Sequence, residues 1–193
     1  MLTRRRFLLA LVGQTILGWA KNLFAQTGVF LTEQEAPEAV FPEATAFERQ
    51  VIKATPELRE KMQALMGKFK PSIWEDAYTT FLAKKGGEFL GYAVIVEEIG
   101  KHRPITFVVG IQPDHKVHDV AIMVFREPYG GQVKERIFLK QYRGKSVTES
   151  FLPFQSVRSV AGATLSIHAL ARGIKKAAAL VQAVYQEGKE GGW

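Results

Sequence analysis

The 193-residue sequence contains no cysteine. That excludes disulfides, thiolate metal sites, iron–sulfur clusters and covalent c-type haem. Any redox chemistry must come from a different bound cofactor. Histidine is scarce: there are four, and no pair has the i, i+4 spacing of a helical metal site. His102, His115 and His118 fall in or beside expected strand turns, and His118, alternating with apolar neighbours, is expected to face solvent. No serine or threonine has the base and orienting acid of a hydrolase triad beside it. The acids Glu97, Glu98, Glu127 and Glu135 read as single surface charges. A phosphate-binding P-loop and a dinucleotide fingerprint are both missing.

The composition is otherwise that of a folded domain, with 47% hydrophobic residues. The net charge of +7 points towards nucleic acid until its distribution is considered. Four of the 26 basic residues (Arg4, Arg5, Arg6, Lys21) lie in the first 25 positions, leaving 22 against 19 acids and a net +3. That excess is spread out, with no basic stripe interleaved with aromatics, so no nucleic-acid partner is expected. Residues 1–26 read as an export leader. Thr3-Arg4-Arg5-Arg6-Phe7-Leu8-Leu9 resembles the twin-arginine signature. The apolar run behind it, 8–19, is interrupted by Gly13, Gln14 and Thr15, and is shorter than the roughly 20 residues that span a bilayer. A periplasmic location, or one on the outer face of the cytoplasmic membrane, is the expectation; the alternative is a short basic-apolar anchor that is kept.

Residues 27–54 are expected to form an extended segment that wraps the domain and docks through Val40, Phe41 and Phe47. The domain proper is expected over 55–187, with a tail at 188–193. Thr55-Pro56-Glu57-Leu58 predicts a helix start with Thr55 as cap. Leu58, Met62, Leu65 and Met66 follow at helical spacing, and Gly67 stops the pattern. The period then changes. Strands are predicted at 79–83, 89–99, 104–111 and 117–125, joined by short turns, which makes an antiparallel meander. A helical stretch is predicted at 133–142. The longest helix is expected at 165–186, with Leu165, Ala169, Leu170, Ile174, Ala177, Val181 and Val184 on its apolar side, Lys175 and Lys176 opposite, and Gly173 as a weak point. The fold class is therefore α+β, an antiparallel β-meander packed with an N-terminal helix and C-terminal helices.

The stretch 158–168 carries the chemistry. Gly162 and Ala163 precede Thr164, and the long helix begins directly after it, followed by Leu165, Ser166 and His168. A hydroxyl on a small-residue turn at a helix start suits phosphate, because the first helix amides lack internal partners. Ordinary capping is the commoner use of threonine at such a place. Local geometry leaves both readings open.

The order of motifs separates them. Gly91-Tyr92, the strand Ile105–Ile111, Arg126-Glu127 with Gly130-Gly131-Gln132-Val133, the segment 138–145 ending in Gln141-Tyr142-Arg143-Gly144-Lys145, and Gly162-Ala163-Thr164-Leu165-Ser166 together resemble the FMN-binding domain family. The likeness runs from about residue 41 to residue 180. That family includes flavin-carrying subunits of ion-pumping respiratory reductases and the periplasmic domain of the nitrous oxide reductase regulator. The resemblance implies FMN as cofactor. It implies a flavin transferase that takes FMN from FAD and joins its phosphate to Thr164. It also implies electron transfer with membrane or periplasmic partners (cytochrome, iron–sulfur or quinone-linked proteins), with no small substrate turned over. By the same resemblance Gly162 and Ala163 keep the approach open, and Gly130 and Gly131 admit the ring or ribityl chain. Arg126, Lys145 and His168 would offset phosphate or flavin charge, with Glu127 in the same loop and Leu165 and Ser166 in the first helical turn. The sequence departs from the family pattern at Arg158, where an aspartate usually stands, and at Ala161, where serine or threonine is usual. Those departures motivate two alternatives, noncovalent FMN or a flavin-free docking module. A nicotinamide-dependent flavin reductase is disfavoured by the missing dinucleotide fingerprint.

Overall fold

The computed structural model describes residues 28–185, so the expected leader and the tail lie outside the described residues. The elements are α1 (Ala36–Val40), β1 (Ala46–Lys53), α2 (Pro56–Met66), β2 (Ala77–Lys85), β3 (Glu88–Ile99), β4 (Pro104–Ile111), β5 (Val117–Phe125), α3 (Arg136–Leu139) and α4 (Thr164–Val184). The five strands form one sheet in the order β1-β2-β3-β4-β5, every neighbouring pair antiparallel. This is the expected meander with one strand more.

Both faces of the sheet are covered, which explains why β4 reads as an almost unbroken apolar run. Ile105, Phe107, Val109 and Ile111 of β4 join Tyr92, Val94, Val96, Val120 and Ile122 in the main core under α2 and α4. The alternate residues Val108, Ala93, Ala121 and Met123 face Val40 and Phe41 of the N-terminal segment. Docking through Val40 and Phe41 is as expected, with Phe47 partly buried beside them. His118 does not simply face solvent: its ring lies flat on Phe41, centroids 4.7 Å apart, with Glu43 at 3.9 Å.

The start of α2 follows its sequence closely. Thr55 caps it, its hydroxyl accepting from Leu58 N–H at 3.3 Å, and Gly67 closes it. Two other stretches differ from expectation. Residues 46–53 form the edge strand β1, in place of the expected wrapping segment; its side chains are largely exposed and carry charge, so the alternation that marks a half-buried strand is weak. The helix expected at 133–142 is broken into a 3-10 turn (Gly131–Lys134), α3 and a second 3-10 turn (Lys140–Tyr142), because Glu135 is extended at φ −69°, ψ 136°. Asp119 of β5, itself buried, grips this segment at two points: its carboxylate accepts from Arg136 at 2.7 Å and from Arg143 at 2.7 and 3.0 Å.

Helix α4 also corrects three expectations. Leu165 is 52% exposed and belongs to no core face. Lys176, expected opposite the core, is 2% exposed. Its ammonium donates to Glu75 at 2.5 Å and pairs with Glu98 at 2.8 Å; Arg172 pairs with the other Glu98 oxygen. Glu98 is thus no lone surface charge. Gly173 is no weak point either. A Cβ built there would lie 2.5 Å from Phe107 and 2.7 Å from Val96. Glycine is what lets α4 press onto β3 and β4, and its low helix propensity is the cost of that approach.

Candidate functional site

Thr164 is expected from sequence to cap the long helix. The structure places the cap one residue earlier, at Ala163 (φ −114°, ψ 9°), with no side-chain capping bond. Thr164 is therefore the first helical residue, exposed, with its hydroxyl not used for capping. The first bond of the helix runs from Ile167 N–H to Ala163 C=O at 2.9 Å. The amides of Thr164, Leu165 and Ser166 precede it, where helix amides lack a carbonyl four residues back. They present the positive end of a 21-residue helix to whatever is attached at Thr164. Tyr129, 67% exposed, and Leu165 are apolar side chains displayed in the two stretches that meet here.

Those stretches are brought together by Gly130. It lies at φ 71°, and a Cβ there would fall 2.5 Å from Ala163 Cβ. Ala163 is buried beneath it. A side chain at 130 would push the acceptor turn away from the loop, so the glycine serves packing and turn geometry at once. Gly131 has open space around it, and Gly162 (φ 74°) turns the chain into the helix.

The loop between β5 and Gly130 is anchored through Glu127. One carboxylate oxygen accepts from His102 N–H at 2.7 Å and from Arg103 N–H at 3.1 Å, tying the loop to the β3–β4 hairpin. Expected as a single surface charge, Glu127 has one carboxylate oxygen engaged by backbone N–H groups. Burial pushes the Glu127 carboxyl up, but the N–H groups of His102, Arg103 and Lys101 outweigh it and hold the group below its ordinary value of 4.5. A depressed folded value stabilises the protein above the unfolded value, and the contribution fades as pH falls through the lowered one. Glu127→Gln is therefore expected to flatten the acid limb of stability below about pH 4.5, read from urea midpoints at stepped pH. Asp114 and Glu149, also lowered, keep that limb from vanishing. An unchanged limb would remove the ionic anchor.

The Gln141–Lys145 stretch splits into separate roles. Gln141 donates to Phe138 C=O at 2.9 Å and accepts from Arg158 N–H at 2.8 Å, so it pins the strand of chain that leads into the acceptor turn. Its signal is its place in the quoted motif, but nothing local points to residue 158. Tyr142 is fully buried beside Phe138 and Phe151, and burial pushes its phenol well up. Lys145 is held at the start of β5. Its carbonyl accepts from Val117 N–H at the start of β5, its ammonium is 4.0 Å from Glu149, and Arg126 leaves the other end of that strand, roughly 25 Å away. Arg126 lies beside Gly28, its Cγ 3.0 Å from where a Cβ on that glycine would stand. Ser166 is buried, His168 half-buried on the next turn, and Arg158 and Ala161 exposed. Among the described residues no cluster of three His, Asp or Glu is placed to hold a metal ion, and no helix is long and apolar enough to cross a membrane.

Residues 100–179 match the family model of the FMN-binding domain. The match spans β4, β5, the Gly130 loop and most of α4, Thr164 included. One component of the proton-translocating ferredoxin:NAD(+) oxidoreductase complex of Clostridium ljungdahlii is 27% identical over 104 residues, covering 50% of this chain and 56% of the relative. The chain thus spans about half the length of that relative. Among solved structures, NqrC of Shewanella oneidensis superposes with a TM-score of 0.51 at 12% identity, covering 76% of this chain and 87% of that one. A component of the Na(+)-translocating NADH-quinone reductase of Parabacteroides distasonis aligns at 13% identity with a TM-score of 0.49, covering 84% and 88%. At such identities the Shewanella structure is evidence of the fold alone.

Proposed function

We propose that this chain, whose residues 100–179 match the FMN-binding domain model, is an exported electron carrier with FMN held as a phosphoester on Thr164. The observation that carries the covalent reading is the uncapped hydroxyl. Thr164 sits at the first helical position, exposed, on a turn locked by Gly130 against Ala163. In this reading Thr164 Oγ1 attacks the FMN-side phosphorus of FAD in a transferase. The new P–O bond replaces the pyrophosphate bond, AMP leaves, and the threonine proton is lost. The amides of Thr164, Leu165 and Ser166 then meet the phosphate charge without reorganisation. Gly162 and Ala163 leave the approach to the hydroxyl clear. Tyr129 and Leu165 offer exposed apolar surface for an aromatic ring, and Gly131 leaves room beside it. Arg126 and His168 are the side chains we assign to phosphate or flavin charge. When bound, FMN supplies electron transfer; the chain supplies attachment, shielding and tuning of its potential.

The partners in this reading are a flavin transferase and membrane or periplasmic redox proteins. The Clostridium relative's name places it in a proton-translocating oxidoreductase complex, which fits a redox partner at a membrane. The leader at 1–26 fits export to the outer side. The second reading is noncovalent FMN, or a flavin-free docking module. Arg158 favours it: an exposed cation stands where the family's transferase meets an aspartate. One measurement separates the two, the intact mass and visible spectrum of protein purified from its native host. Covalent attachment adds the mass of FMN less one water, and the flavin absorbance survives denaturation. Flavin released by denaturant supports the noncovalent form, and colourless protein of unmodified mass overturns the carrier.

A further inference from the structure

Far from the acceptor hydroxyl in sequence, the loop between α2 and β2 displays Trp74 at 86% and Ile73 at 70% exposure. Ile99, at the end of β3, is 61% exposed. Trp74 and Ile99 line one cleft of about 720 Å³ with Lys68, Lys70 and the Lys176 ion-pair cluster. This is not a loose end. Gln63 donates to the carbonyls of Gly67 and Phe69 at 2.9 and 3.0 Å, and Phe69 packs on the main core. Glu75, next to Trp74, is bound to Lys176 at the other side. The loop is tethered at both ends, and the two large apolar side chains between the tethers are held in water.

The cations around the loop stand exposed. Lys68 and Lys70 flank the loop, and Lys101 and Arg103 stand exposed on the β3–β4 hairpin. Against them are the exposed acids Asp76 and Glu97 and the partly buried Glu127, which accepts from the hairpin's own N–H groups, while Glu75 and Glu98 are neutralised inside by Lys176 and Arg172. Tryptophan and a branched aliphatic ringed by lysine and arginine is the composition that suits a lipid headgroup boundary: the ring enters and the cations meet phosphate.

Topology adds a direction. Lys53 pairs with Ala77, Ile99 with Pro104, and Ile105 with Phe125, so these all lie at one end of the sheet. Gly28 is there too, its carbonyl accepting from Phe125 N–H at 2.8 Å. Residues 1–27, with their three arginines and apolar run, therefore join the domain at this end. The Gly130 loop leaves from it as well.

We propose that this end of the sheet is a bilayer-contacting rim, in which Ile73 and Trp74 enter the interface of an anionic lipid surface and Lys68, Lys70, Lys101 and Arg103 lie over its phosphates. The Thr164 turn is then held on the membrane side of the domain. The rim needs no flavin, so it stands whether or not Thr164 is modified.

The test uses the full chain with Trp19→Phe and Trp193→Phe, which leaves Trp74 as the single tryptophan. Phosphatidylglycerol vesicles are expected to shift its emission to the blue, and spin labels near the acyl carbonyls to quench it. Lys68→Glu with Lys70→Glu is expected to weaken the bound fraction about tenfold or more at low salt, as does added salt. Both lysines are exposed, and circular dichroism verifies the fold. Emission that stays that of a water-exposed indole, while the chain is held on vesicles by its leader, overturns the proposal. So does an equal shift on pure phosphatidylcholine, or a shift produced only by an acidic partner protein.

Discussion

Thr164→Ala, expressed with its transferase, is expected to lose all protein-bound flavin fluorescence on a denaturing gel, while Thr164→Ser retains part of it. What the hydroxyl does not do decides the outcome. It makes no capping bond, the residue is exposed, and the helix already has its cap at Ala163. Alanine at the first helical position removes no buried group, so stability should stay within about 0.5 kcal/mol. A loss of flavin then reports the missing nucleophile and not a damaged fold. Serine keeps the oxygen at the same backbone position and loses only the methyl. Thermal midpoints of all three proteins should agree, and their flavin content should not. Undiminished fluorescence in Thr164→Ala would end the attachment reading. Equal loss in serine and alanine would assign the defect to recognition of the turn, where Arg158 and Ala161 already depart from the family pattern.

How far the sequence discloses this arrangement depends on how local each signal is. Thr55-Pro56 with Gly67 marks both ends of α2 because capping is decided within four residues. Strands β4 and β5 have the bounds expected of them, since punctuating prolines and turns enclose apolar runs. Strand β1 escapes sequence reading because an edge strand with exposed faces has little pattern to show. The short pieces replacing the helix at 133–142 depend on Asp119, which reaches Arg136 and Arg143 from another element.

The site divides in the same way. Thr164 at a helix start is legible. That Gly130 closes on Ala163, or that Gln141 holds residue 158, is not, because both contacts join segments separated in sequence. Lys145 shows the converse: the resemblance groups it with Arg126, yet the two lie at opposite ends of β5. Lys176 is half legible. It lies three residues after Gly173 and seven after Ala169, on the inner face of α4, and only its charge argues for solvent.

Lys176→Met is expected to destabilise the protein by about 3 kcal/mol, measured by urea unfolding. Methionine keeps most of the volume and removes the ammonium, so the loss isolates charge from packing. The ammonium contacts Glu75 at 2.5 Å, Glu98 at 2.8 Å and the Glu97 carbonyl at 3.4 Å. After substitution Glu98 still has Arg172, but Glu75 loses its ion-pair partner, and its second oxygen already has no hydrogen-bond partner. Glu75 is partly exposed and can recover some hydration, which places the loss at the low end of what breaking a buried pair costs, about 3–5 kcal/mol. The double variant Lys176→Met with Glu75→Gln should recover a portion of it, because it leaves a neutral amide where the single variant leaves an unpaired carboxylate. Position 176 is twelve residues beyond Thr164, roughly 18 Å along the helix, so the folded fraction of Lys176→Met should load flavin normally. A change below about 1 kcal/mol would mean that the ammonium is not buried among these carboxylates. A full loss with no recovery in the double variant would mean that the unpaired Glu75 carboxylate is not the source of the cost.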